Sequence, residues 1–151
     1  MANRGWVFLG FLVSLVLAAY VLAAEVNPSL PTGKVTIAGR VKLTVELART
    51  VDEQVRGLSG RAGLKAGSGM LFVYDHPHPI SIWMKDMRFS LDIIWIQAGR
   101  IVAIEKHAPP LTSAGPERVY TVTADSVLEV PAGFTEREKI RLGDSVQAVL
   151  P

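Results

Sequence analysis

Six residues carry most of the chemistry this sequence offers: Arg61, Met70, Trp83, Lys85, Asp92 and Glu129. Four charges, Lys85, Asp86, Arg88 and Asp92, interrupt the otherwise apolar stretch ISIWMKDMRFSLDIIWI at residues 80–96. Asp92 stands between Leu91 and Ile93, where the strand pattern calls for core residues. An unpaired carboxylate buried there costs several kcal/mol, so it needs a partner. If residues 80–84 and 91–95 form an antiparallel hairpin, Lys85 is that partner, with Arg61 or Arg56 as alternatives. Asp92 is then either a structural lock or a group of shifted pKa that serves as acid/base or anchors a polar ligand. Glu129 breaks the apolar strand VLEV in the same way, with Arg61 as its candidate partner. Trp83, with Met70 on a neighbouring strand and Lys85 nearby, offers a groove for a sugar or other amphipathic ligand; the alternative is that it packs on a sheet face.

The stretch DHPHPISIWM places Asp75, His76 and His78 near Met84 and Met87. Imidazole and thioether together suit copper. Pro77 and Pro79 stiffen the two histidines individually, however, and only His107 remains as a third imidazole. A solvated turn is therefore the expectation for His76 and His78, and no metal or other cofactor is expected. The chain has no cysteine, which removes disulfides, thiolate ligands and a Cys nucleophile. No Ser–His arrangement at recognisable spacing is present.

The elements that must position these residues follow a period of two. In VKLTVEL, Val41, Leu43, Val45 and Leu47 alternate with Lys42, Thr44 and Glu46, giving one buried and one wet face. VTIAGRVKL predicts a hairpin turning at Ala38, Gly39 and Arg40. Further strand signals lie at 70–74, 80–84, 91–96, 101–107, 119–123, 127–130 and 145–150, separated by DHPHP, KDMRF, QAGR, APPLTSAGPE and RLGD. Thr50 and Glu53 form a capping box for a helix of roughly two turns, with Val51, Val55 and Leu58 on one face and Gly57 or Gly60 as its stop. TEREK at 135–139 predicts a single further helical turn, and Gly133 a positive-φ turn or a close backbone approach. Seven or more short strands with one or two short helices predict a mainly all-β domain, a compact sandwich or barrel-like fold.

Residues 6–24 carry no charge and follow Arg4. A basic start, an apolar run and small residues at its end predict a secretory signal peptide in residues 1–24. At 1.5 Å per residue the same run nearly spans the roughly 30 Å hydrocarbon layer, so an uncleaved anchor is the alternative. Residues 25–34, EVNPSLPTGK, read as a linker, and 35–151 as a single β-rich domain. Of 16 basic and 14 acidic residues only Arg4 precedes residue 25. The remainder is nearly balanced and its cations are scattered, which argues against nucleic acid as a partner.

GLSGR (57–61), GMLFVY (69–74), IWMKDM (82–87), LDIIWI (91–96) and LEVPAG (128–133) occur in an order and spacing that resembles the bacterial and archaeal domain-of-unknown-function family numbered 192. The resemblance covers roughly residues 41–150. It implies a compact, jelly-roll-like β-rich fold and frequent export, and it implies no activity. Four positions depart from the family pattern: Ile82 where an aromatic precedes the Trp, Asp86 and Met87 where Asn-Thr follows the Lys, and Ser59 where Met follows Gly-Leu.

The expectation from sequence is thus an exported envelope domain, periplasmic or extracellular, that binds a small molecule or an envelope protein without catalysis through the Trp83, Lys85 and Asp92 end. If residues 6–24 stay uncleaved, the membrane is a further partner. The rival readings are a hydrolase using Asp92 with Lys85 or Glu129, and copper binding through His76 and His78.

Overall fold

The computed structural model describes residues 30–111 and 118–151. Among these, β1 (Thr32–Ile37), β2 (Val41–Ala48), α1 (Val51–Arg56), β3 (Ser68–Trp83), β4 (Leu91–Gln97), β5 (Arg100–Ala108), β6 (Val119–Pro131), α2 (Phe134–Arg137) and β7 (Val146–Val149) follow in chain order. The strands build one seven-stranded sheet in the order β5-β4-β6-β3-β2-β1-β7. Every pairing is antiparallel except β2 with β3. The sheet curls into a half-barrel. At one end Arg100 of β5 bridges to Ser145, just before β7, bringing the two edges together.

The alternation read in β2 holds: Val41, Leu43, Val45 and Leu47 are buried, while Lys42 and Thr44 are exposed. These residues join Val35, Ile37, Ile94, Ile96, Leu128 and Val130 in the core inside the curl, which Phe134 and Ile140 plug. The opposite face of the central strands carries a second core of Met70, Phe72, Ile93, Trp95 and Val127, joined by Ile80, Ile82 and Met84. Because β4 lies between β5 and β6 and has a core on each face, Leu91 to Ile96 are all buried and read as a continuous apolar run. The β1–β2 turn is also as expected. Ala38 and Gly39 take φ of 51° and 67°, and Ile37 faces Val41 across it.

Several boundaries differ. The 70–74 and 80–84 segments belong to one strand, β3, whose pairing with β6 shifts between Val73 and His78. The Pro-rich DHPHP is therefore strand and bulge rather than a free turn. Beyond the shift β3 has only β6 beside it, and at such an open edge a proline's missing N–H breaks no inner ladder. The 119–123 and 127–130 segments likewise fuse into β6. The expected hairpin of residues 80–84 with 91–95 does not form, because β6 runs between β3 and β4. β1 starts at Thr32, inside the segment read as linker, and the Pro31 carbonyl accepts a hydrogen bond from Leu47 N–H.

Helix α1 starts on the predicted capping box. Thr50 Oγ1 accepts from Glu53 N–H, and Glu53 Oε2 accepts from Thr50 N–H at 2.9 Å. Gly57, at φ 48°, ends it. Its apolar face does not enter the core: Val51 is 74% and Val55 59% exposed, and only Leu58 beyond the helix is buried. Among the described residues no helix is long and apolar enough to cross a membrane. The expected signal peptide or anchor, residues 1–24, lies outside the described residues.

Candidate functional site

Asp92 is fully buried, and its partners differ from those expected. Asp92 Oδ1 accepts from the backbone N–H of His107 at 2.9 Å and of Gly133 at 3.1 Å. Oδ2 accepts from the Thr135 N–H at 2.8 Å and the Thr135 hydroxyl at 2.7 Å. Burial pushes this carboxyl upward, but the four donors outweigh it and hold the group below the usual aspartate range. Gly133, at φ 78°, has no side chain to cap α2, so Asp92 supplies that acceptor from a distant strand. The lock is real, but backbone amides rather than a cation close it. Lys85 is exposed in the turn after β3, where its carbonyl accepts from the Ser59 hydroxyl. Arg61 is committed elsewhere, in a two-pronged pair with Glu46 whose second bond is 2.7 Å. Neither cation reaches Asp92 or Glu129, which corrects both pairings.

The hydrolase reading needs Asp92 to work beside Lys85 or Glu129. In the β4–β6 ladder Asp92 faces Val130 and Ile93 faces Glu129. Neighbouring residues of a strand point to opposite faces, so Asp92 joins the inner side with Val130, and Glu129 the outer side with Ile93. The sheet separates the two carboxylates.

Glu129 holds the more reactive position. It is 5% exposed, and among the described residues no hydrogen bond or charge offsets the desolvation of its carboxyl. Burial pushes its pKa up to about 8. Across the strand it meets Met70, which is fully buried core rather than a lining residue. Glu129 contributes to the wall of a pocket of about 260 Å³ between α1 and the outer face of β3 and β6. Phe72, Tyr74 and Trp83 supply aromatic walls, and Val51 and Val55 of α1 the mouth. Trp83 is 45% exposed, whereas its neighbour Met84 is buried. Burial, and secondarily the Glu129 charge, raises the Tyr74 phenol above its ordinary pKa. The other small polar groups of the wall are already engaged: Ser59 with Lys85, Ser81 with Thr121, and the Gln54 amide N–H with the Ala48 and Val73 carbonyls.

Of the sequence candidates, then, the structure brings Trp83 and Glu129 to one pocket and leaves Arg61, Met70, Lys85 and Asp92 out of its lining. Phe72, Tyr74, Val51 and Val55 were missed. A signal for Phe72 existed: it lies two residues from Met70 on a strand and so shares its face. The exposed valines carried no such signal, because their helical spacing looks like a core face. His76 and His78 lie near each other, their rings 5.5 Å apart and tilted by 48°, with His78 Nδ1 against the His76 carbonyl at 3.0 Å. His107 instead lies 3.4 Å from Glu136. Among the described residues no three His, Asp or Glu groups converge in a way that could hold a metal.

Two solved structures resemble this chain. One, from Sinorhizobium meliloti 1021 and described as a putative transcription regulator, is 29% identical with a TM-score of 0.73, over 81% of this chain and 97% of that one. The other, a protein of unknown function from Novosphingobium aromaticivorans DSM 12444, is 31% identical with a TM-score of 0.70, over 78% of this chain and 86% of that one. Among curated proteins nothing matches. Residues 33–148, from β1 to β7, match the family model DUF192, described as "Uncharacterized ACR". The chain therefore belongs to the DUF192 family.

Proposed function

We propose that this protein is an exported, non-catalytic binding module that receives a small amphipathic molecule in the pocket between α1 and the β3–β6 face. The observation that carries this reading is Glu129, a buried acid on which desolvation acts with no compensating hydrogen bond or cation among the described residues, at an apolar, aromatic-walled opening. A carboxyl desolvated in this way costs folding free energy that no internal hydrogen bond returns. Val51, Val55 and Trp83 are exposed around the same opening, so the apolar surface and the unpaired acid coincide. A volume of about 260 Å³ suits a ligand smaller than a drug-sized molecule. Catalysis is disfavoured because the pocket hydroxyls of Ser59 and Ser81 are engaged and Asp92 is spent on structure behind the sheet.

Ligand-observed NMR of the full-length chain with a library of small aliphatic and aromatic fragments tests the pocket. Hits should disappear in Trp83→Ala and in Val55→Arg. Fragments that bind both variants as they bind the wild type would refute the site. Export rests on the uncharged run at residues 6–24 behind Arg4. Fractionation of C-terminally tagged protein, with its mass, tests it. A soluble cytoplasmic product retaining Met1 would end that part of the reading; a full-length membrane-bound product would identify an anchor, and a shortened one a cleaved signal.

A further inference from the structure

The polar groups of the pocket constrain what can enter it. Ser59, Ser81 and the Gln54 amide N–H are already bonded within the protein. A sugar, which needs several donors and acceptors at once, finds few there. An anion would be driven against the Glu129 carboxyl. Arg56 sits at the exposed rim, and among the described residues no cation pairs with Glu129. A ligand that carries both a positive charge and its own N–H donors satisfies what the protein leaves open. Aromatic faces add to this, since the electron-rich face of Trp or Tyr attracts a cation within about 6 Å. Phe72, Tyr74 and Trp83 provide three rings in the same wall, and Val51 and Val55 provide apolar contact beyond them.

We propose that the pocket binds an organic ammonium ion on a short apolar chain, its charged head paired with the Glu129 carboxylate among Phe72, Tyr74 and Trp83. This rests on the binding-module reading and specifies its ligand class. The empty pocket keeps Glu129 protonated at neutral pH, because burial holds its pKa at about 8. The incoming ammonium replaces that proton as the partner of the carboxylate, and the proton passes to solvent. The titratable or charged groups that line the pocket beside Glu129 are Tyr74 of β3 and Arg56 of α1; opposite Glu129 in the sheet, β3 and β4 present Met70 and Ile93, which do not titrate.

Isothermal titration of the full-length chain in lipid nanodiscs with n-pentylamine and with 1-pentanol, each corrected for empty nanodiscs, tests the proposal. Pentylamine should bind about fiftyfold more tightly at pH 8 than at pH 6, since the proton on Glu129 must leave below its pKa. At pH 7 buffers of different ionisation enthalpy should report close to one proton released per ligand. Glu129→Gln should weaken pentylamine at least tenfold at pH 8 and leave pentanol unchanged. Trp83→Ala, at a half-exposed position that does not support the core, should weaken pentylamine as well. If pentanol binds while pentylamine binds no more tightly, or without proton release, the pocket stands and the ammonium assignment falls. If neither binds, both fall.

Discussion

Replacing Glu129 by Gln keeps the shape of the side chain and removes the proton that burial forces it to hold. In the folded protein this carboxyl has a pKa of about 8 against an ordinary 4.5. Below pH 4.5 both folded and unfolded chains carry the proton, and the group favours neither. Between 4.5 and 8 the unfolded chain is ionised while the folded chain stays protonated. Unfolding then releases a proton, so stability falls as pH rises. Each pH unit in that interval withdraws about 1.4 kcal/mol, hence about 4–5 kcal/mol across it. Against a total of about 5–15 kcal/mol for a domain, that loss decides whether the fold persists at alkaline pH. Chemical denaturation at pH 5 to 9, followed by far-ultraviolet circular dichroism, measures it. Wild type should lose stability steadily up to about pH 8 and then level off, whereas Glu129→Gln should lack this slope. The variant should therefore be the more stable protein at pH 8.5 by several kcal/mol. Parallel curves for the two proteins would refute the account of Glu129 as an unpaired buried acid.

Asp92→Ala leaves three backbone N–H groups and the Thr135 hydroxyl without their acceptor and should cost about 3–5 kcal/mol in denaturant titrations. Lys85→Met should change stability by less than about 0.5 kcal/mol, and the double mutant should be additive; coupling above about 1 kcal/mol would restore the ion pair that the structure lacks. Because the Asp92 carboxyl is held below its ordinary value of 3.8, the stability it contributes is present above that pH and lost as pH falls through the folded pKa. Asp92→Asn should accordingly flatten the acid limb of the stability curve below about pH 4. A Cβ at Gly69 would sit 2.6 Å from the Glu129 carbonyl oxygen of the neighbouring strand. Gly69→Ala should thus cost about 1–3 kcal/mol, and an unchanged melting temperature would disprove that close approach.

Several local signals in the chain are legible because a few adjacent residues determine the outcome. The capping box of Thr50 and Glu53 and the turn at Ala38 and Gly39 depend on residues within reach of one another, and both form. The alternation from Val41 to Leu47 was decisive for the same reason. What sequence could not supply was the identity of neighbours brought together by topology. Lys85 looked like the partner of Asp92 only if β3 and β4 were adjacent, and nothing local reveals that β6 intervenes. Burial of Asp92 was legible from Leu91 and Ile93. Its donors were not, because backbone N–H groups at His107, Gly133 and Thr135 have no letter in the sequence. Val51 and Val55 show the opposite failure: their spacing is that of a buried face, yet among the described residues no element packs over them.

The place of β6 in the sheet also sets the order in which this chain can fold. β6 is the sixth strand made, yet it pairs with β3 over most of its length and with β4 over Ser126–Pro131, and it contributes Leu128 and Val130 to one core and Val127 to the other. Until Val119–Pro131 is available, β3 lacks a partner for its distal half and the β4–β5 hairpin has no sheet to join. The last strand, β7, then pairs with the first, β1. Contacts this far apart in sequence are entropically expensive to nucleate and give folding times toward the slow end of the range for small domains. A chain emerging N-terminus first therefore keeps β1–β2–β3 and the β4–β5 hairpin unjoined until β6 follows. The sheet is complete only when β6 and β7, in the final third of the chain, are free to pair.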